Sequence, residues 1–265
     1  MIKLGVNSVL FKAFSFAEAA RAVKLAGYDG IEICAVKGMC EHLDLDNWAG
    51  QKNELIDAVK SNGLEFFSTE VASLDRERLL IAFEACAAIG IPIVNVGPGG
   101  LSHEPGSLDD SIGTLRGLAK LAAGFGVTLC CKAHVGAAIY NTPTTLAAMN
   151  AIEDPAFGID MDPSHIWRAG EDPVKALPPV VSRVKHIHIR DCKGPGPSPG
   201  VPALQTCGRG DIDLYNFIKA MIEAGYDGPV CLEVIGDEQP MTEAAMIAAE
   251  SYGYMNAVMK SLGAR

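Results

Sequence analysis

The chain has no C-x-x-C pair among its eight cysteines, and several of them, including Cys86, Cys130, Cys131 and Cys231, lie inside apolar runs. That spacing gives neither a zinc knuckle nor a disulfide framework, so the thiols read as reduced packing residues. No segment approaches the ~18 consecutive apolar residues of a membrane span. The opening MIKLGVNSVL has no basic stretch ahead of a long apolar one. These absences lead to the expectation of a soluble, cytoplasmic protein with no membrane partner. Positive charge is short as well: 22 Lys and Arg face 32 Asp and Glu, a net charge of −10 scattered along the chain. Such a field disfavours a polyanion, so nucleic acid is not an expected partner.

What is present is a full core's worth of apolar residues, 49% of 265, with no shift in composition to mark a second domain. Eight β-like runs can be read: Lys3–Asn7, Gly30–Cys34, Glu65–Glu70, Ile93–Gly97, Thr128–His134, Gly158–Asp162, Val184–Arg190 and Val230–Val234. They recur roughly every 30 residues, each followed by a helical pattern. Such alternation implies parallel strands with crossover helices, and eight units imply closure. The expectation is α/β, a single (β/α)8 TIM barrel domain over residues 1–265. Helix ends are well marked. Ser15 and Glu18 form a capping box, Asp75, Ser107 and Asp213 are candidate starts, and Gly27, Gly90, Gly126 and Gly225 are stops. The pentapeptide Ala-Gly-Tyr-Asp-Gly occurs at 26–30 and again at 224–228, each time ahead of a strand that bears a glutamate, Glu32 or Glu233.

Ionisable side chains gather at the ends of the later strands: Lys132 and His134, Asp162 and His165, His186 and His188, and Glu233. In a barrel that edge is where chemistry is assembled. Because side chains alternate along a strand, Lys132 and His134 share one face, and His186, His188 and Arg190 share another. Taken singly, each such residue reads most often as a cap or a hydrogen-bonded core group. Asp162, His188 and Glu233, from the last three strands, form a mixed nitrogen and oxygen set suited to Mn, Co, Zn or Mg. Two carboxylates confined in one mouth also repel unless something positive lies between them.

Other residues are candidates for holding substrate: Glu70, and Glu32 beside it, at strand ends where they either meet hydroxyls or cap the layer below; Arg190; Trp167, as a wall beside His165; and Arg209, whose fork suits a carboxylate or phosphate. Gly97-Pro98-Gly99-Gly100 offers amides to an anion or is a plain turn. The segment Gly194–Pro202 can be neither helix nor ladder, and is either a lid over the mouth or a linker.

The chain resembles the xylose isomerase-like barrels of sugar and sugar-phosphate isomerases and epimerases, a group related to the AP endonucleases of family 2. The resemblance covers essentially the whole chain, and its specific parts are DMDPSHI (Asp162, His165), VKHIHIRD (His188, Asp191), CGRGDID (Gly208 to Asp213) and CLEV (Glu233). It implies metal ligands at Asp162, His188 and Glu233 and a substrate contact at His165. The fourth ligand departs from the pattern. Where such barrels usually read Gly-Val-x-Leu-x-x-Glu-x-His, this chain reads Gly126 to His134 with Lys132 in place of the glutamate. Either Lys132 is neutral beside a metal, with His134 or water completing the shell, or it is charged and itself neutralises the carboxylates. The intact Asp, His and Glu remainder favours a retained divalent metal.

The expected activity is isomerisation or epimerisation of a small polyhydroxylated carbonyl compound, by removing a proton next to the carbonyl. Glu233 is then the base, and Lys132 or His134 the counterpart acid. A lyase that expels a β-hydroxyl from a keto-sugar or keto-inositol is the runner-up, ahead of an abasic-site endonuclease and a non-catalytic sugar-binding barrel. The expected partner is a small sugar or polyol-derived substrate. Homo-oligomerisation stays open, since no stripe announces an interface.

Overall fold

A computed structural model describes residues 1–265. The strands are β1 (Leu4–Asn7), β2 (Gly30–Val36), β3 (Cys40–Glu41), β4 (Glu65–Glu70), β5 (Ile93–Val96), β6 (Thr128–Lys132), β7 (Phe157–Met161), β8 (Val184–Ile189) and β9 (Val230–Leu232). The helices are α1 (Phe16–Ala26), α2 (Trp48–Ser61), α3 (Arg76–Ile89), α4 (Ser107–Gly124), α5 (Thr142–Ala151), α6 (Pro163–Arg168), α7 (Pro173–Val180), α8 (Leu214–Glu223) and α9 (Met241–Ser261). All strands but β3 pair in parallel, and β1 joins both β2, at Gly5 with Gly30, and β9, at Gly5 with Cys231. The sheet therefore closes into the single-domain (β/α)8 barrel that the alternation implied. Strand β3 is extra, a short antiparallel partner of β2 outside the ring. No helix is long and apolar enough to cross a membrane.

Local chemistry sets the boundaries. Ser15 and Glu18 cap each other's backbone at the start of α1, and Gly27 ends it in the left-handed region that costs a glycine little. Asp75 and Asp213 accept from the third residue of α3 and α8. Ser107 does not cap α4, because its hydroxyl turns back to accept the Leu101 N–H at 2.9 Å, leaving Gly106 at the cap.

Two bulges shape the barrel floor. Ile31 pairs with Phe66 and Glu32 with Ser68, so Phe67 is the extra residue. A Cβ on Gly5 or Gly30 would lie 2.7 or 2.4 Å from the Phe67 ring, so both positions must be glycine for the ring to close the bottom. Lys185 is skipped in the same way on β8, and its stem lies over Gly158. Above this floor the strands present polar side chains inward. Asn7, Glu32, Ser68, Asn95, Asp160, His186 and His188 are all fully buried. An interior of that kind persists only when its members bond one another.

Candidate active site

The lower tier is a buried polar network in which Asn95 Oδ1 and Asp160 Oδ2 accept no hydrogen bond. His186 is bonded through Nδ1 to Asp160 at 2.9 Å and through Nε2 to the Ser68 hydroxyl at 2.9 Å. Asn95 donates to Glu32 at 2.7 Å. His188 lies between two carboxylates, with Nε2 on Glu32 and Nδ1 2.6 Å from Asp160 Oδ2. Contacts that close require a proton on each ring nitrogen. Burial alone would lower the pKa of His188, but Asp160 and Glu32 outweigh it and hold the ring as imidazolium. Asp160 is held well below the usual carboxylate range, since the two histidines overcome its burial.

The upper tier carries the chemistry. Lys132 ends β6 with Nζ 2.8 Å from Glu70, 2.8 Å from Glu233 and 3.3 Å from His188 Nδ1. Glu70 also accepts from Asn7 at 2.9 Å. Arg190 places Nη1 2.9 Å from Glu233 and Nη2 3.1 Å from Asp162 and 3.0 Å from His165 Nε2. Burial would lower Lys132, yet Glu233 and Glu70 raise it, so it is an ammonium. Glu233 shows the mirror effect: burial pushes it up, and Lys132 and Arg190 hold it well below its usual range. Glu70 differs, because burial and then the nearby Glu233 push it up to about 7. His165 is kept neutral by burial and by Arg190, with the Val135 N–H and Arg168 donating to Nδ1 at 3.2 and 3.0 Å. All of these groups are nearly closed to solvent, Glu70 being the most open of the tier at 7%.

The structure brings together Lys132, Glu233, His188, Arg190, His165 and Glu70. It does not bring Asp162 to a common centre with His188 and Glu233. Asp162 is the N-cap of α6, accepting from the Ser164 N–H and hydroxyl at 2.8 and 2.7 Å, and its other oxygen faces Arg190. The groups whose donor atoms lie within 4.8 Å of one another are Glu70, His188 and Glu233; Asp160, His186 and His188; and Glu32, His186 and Cys231. The first occupies the mouth, and it does not fit a divalent ion as it stands, because Lys132 Nζ is in its centre. A dication ~3 Å from an ammonium is repelled by on the order of 10 kcal/mol at an effective dielectric of ~20.

Three further candidate residues lie outside this ring of charges. Arg209 forks onto Glu250 on the surface. Trp167 lines an outer groove with Asp172, Asp213 and Lys219 instead of walling the mouth. His134 is exposed at the rim, bonded to the Val135 carbonyl at 3.0 Å and packed on the His165 ring at 4.0 Å, and it makes no hydrogen bond to Lys132. Its pKa is lowered by burial and then by Lys132. The Gly97–Gly100 stretch is a turn closed by Ser111 on the Pro98 carbonyl and by Ser107. Gly194–Pro202 is tied down by Arg168 on the Pro197 carbonyl at 2.7 Å and by Gln205 on the Gly200 carbonyl at 2.8 Å.

Residues that sequence reasoning missed are Asp160, Asn7, Asn95 and Ser68. A signal for them existed, since polar residues two apart inside apolar strands (Ser68 and Glu70, Asp160 and Asp162, His186 and His188) mark an inward polar face. Asp191, noted only as part of a motif, fixes the segment that returns to α8: it accepts from Cys192, Gly208 and Ile212 N–H groups at 2.9, 3.0 and 3.1 Å.

A closed parallel barrel with charged groups at the carboxyl ends of its strands defines the class. The sequence profile of the xylose isomerase-like TIM barrels matches residues 20–257, and the chain belongs to that family. It is similar to an inosose dehydratase of Clostridium botulinum (strain Alaska E43 / Type E3), 27% identical over 135 residues that make up 46% of this chain and 45% of that protein. The chain spans about half the length of the curated relatives it matches. In fold it is similar to the IOLI protein solved with a binding zinc atom, at TM-score 0.80 and 18% identity over 98% of this chain and 99% of that one. It is likewise similar to a D-tagatose 3-epimerase-like protein, at TM-score 0.78 and 18% identity over 99% and 98% of the two chains.

Proposed function

We propose that this protein is an enzyme that removes the proton next to the carbonyl of a small polyhydroxylated substrate, a sugar or a cyclic polyol ketone. The observation that carries the reading is the pairing of Glu70, whose pKa is pushed up to about 7, with the fixed cation Lys132, next to a Glu233 that Lys132 and Arg190 both hold. A general base works best when its pKa lies near the operating pH. Glu70 meets that condition, whereas Glu233, expected from the sequence as the base, is held ionised by two cations and is a weak one. Glu70 takes the proton as the C–H bond breaks, and the electron pair moves onto the carbonyl oxygen, giving an enediolate. Lys132 and Arg190 are the fixed positive charges that steady that oxyanion, and the neutral imidazole of His165 lies against Arg190 and holds it in place.

Two outcomes follow from one intermediate. Return of the proton to the neighbouring carbon or the opposite face gives an isomer or epimer; loss of a β-hydroxyl, which takes a proton and leaves as water, gives an unsaturated ketone. The dehydratase name of the matched relatives favours the second outcome, and the epimerase-like name of a structural neighbour the first. The test is incubation of a panel of keto-sugars and keto-inositols in deuterated water, followed by NMR. Solvent deuterium in an isomer identifies an isomerase, and an unsaturated product a lyase. Absence of both, with no exchange at the carbon beside the carbonyl across the panel, rejects the reading.

A further inference from the structure

We propose that the ammonium of Lys132 takes the place of a divalent cation, so that the mouth of this barrel binds no metal and carries its own fixed positive centre. The argument is geometric. Glu70, His188 and Glu233 point donor atoms at one spot, all within 4.8 Å of one another, as ligands of a single ion would. Lys132 Nζ occupies that spot, 2.8 Å from each glutamate and 3.3 Å from the imidazole.

The remaining donors leave no second place for an ion. Both ring nitrogens of His186 are bonded, to Asp160 and Ser68, which uses the imidazole shared by the other two groupings. Asp162 accepts from Ser164 through one oxygen and faces Arg190 with the other. Charge also closes locally, with Lys132 and Arg190 both on Glu233 and Arg190 on Asp162 as well.

The inference deepens the proposed function and rests on it for one consequence. His188 Nδ1 is the third neighbour of Lys132 Nζ, at the longest of its three contacts. An ammonium has three donors, and the two glutamates take two of them. The third is directed at the imidazole through the longest contact, so it costs least to turn toward a substrate oxyanion, for which the ammonium is a fixed positive centre.

The test needs no substrate. The full chain is loaded with Mn²⁺ or Zn²⁺, dialysed, and measured by elemental analysis and by thermal midpoint with and without EDTA. The expected result is well under one metal per chain and no shift with EDTA. The variant Lys132→Glu, which adds a fourth donor and removes the ammonium, is expected to retain one Mn²⁺ or Zn²⁺ per chain and to melt higher with the ion than without. Stoichiometric metal in the native chain, lost in Glu233→Gln, overturns the proposal. So does a Lys132→Glu chain that is folded by circular dichroism and still binds nothing. If that variant does not fold, the native-chain measurement decides alone. Failure of the proposed function would appear separately, as a metal-free native chain with no α-proton exchange on any ketone tested.

Discussion

Lys132 Nζ sits 2.8 Å from Glu233 Oε1, and neither residue is more than 5% exposed. A buried pair of this kind is weak support for stability in itself, but removing one partner strands the other. Lys132→Met would leave Glu70 without its cation and Glu233 with Arg190 alone, a loss of about 3–5 kcal/mol. Urea denaturation at neutral pH measures it. The double variant Lys132→Met/Glu233→Gln should recover a substantial part of that loss. A single variant within about 0.5 kcal/mol of the native chain, the scatter of ordinary surface changes, would mean that the pair is not formed.

Glu70 gives the molecule a pH dependence of definite sign. Its carboxyl is raised from 4.5 to about 7 in the folded state, so between these values the folded chain binds more protons than the unfolded one. Its contribution is fully present below about 4.5 and is lost as pH rises through about 7, on the order of 3 kcal/mol across the window. Glu70→Gln cannot titrate and should flatten stability between pH 5 and 8. Denaturation curves at a series of pH values compare the two slopes, and equal slopes would exclude Glu70 as their source.

Asp191 is a scaffold for the returning segment. Its carboxylate receives three backbone N–H groups, and Gly210 passes so close that a Cβ there would lie 2.1 Å from the carboxylate oxygen. Asp191→Ala leaves those donors without their acceptor, at about 1–3 kcal/mol for each one that water does not reach. The expected outcome is a lower thermal midpoint and faster proteolytic cleavage within 193–212, with the barrel otherwise intact by circular dichroism. Cleavage at the native rate would show that the segment is held by other contacts.

The fold was legible because its signals are local. Strand period, glycine stops and the Ser15 capping box each act within a few residues, and eight repeats leave little choice but closure. The site was legible only in part. Lys132, His165, His188, Arg190 and Glu233 could be placed at strand ends, but which groups meet depends on how the strands are staggered. The bulges at Phe67 and Lys185 shift the register by one residue, setting Glu32 beside Ser68 and Asp160 beside His186. That shift is invisible in a single strand. Asp162 was misplaced for a different reason: a carboxylate ahead of Pro163 is both a strand end and a helix cap, and here the cap and Arg190 take both oxygens. Arg209, flanked by glycines, had nothing in the sequence to reveal Glu250, 41 residues away.

The barrel floor supplies a last test of this stagger. Phe67 fits only because Gly30 has no Cβ: one built there would lie 2.4 Å from the ring and 2.7 Å from the Glu65 carbonyl oxygen. Gly30→Ala overpacks a closed layer in which the carbonyl cannot swing aside, and overpacking of this kind costs about 1–3 kcal/mol. At Gly5 the nearest atoms to the added Cβ are side-chain ones, the Phe67 ring at 2.7 Å and the Cys231 sulfur at 2.9 Å. The two glycines should therefore respond differently to a smaller residue at 67. Phe67→Leu ought to relieve much of the penalty of Gly5→Ala and less of that of Gly30→Ala, because the backbone contact at Gly30 remains. Stabilities of the four-member double-mutant cycle at each glycine give the two coupling energies. Equal couplings would mean that the ring alone sets the requirement for glycine, and that the Glu65 carbonyl yields.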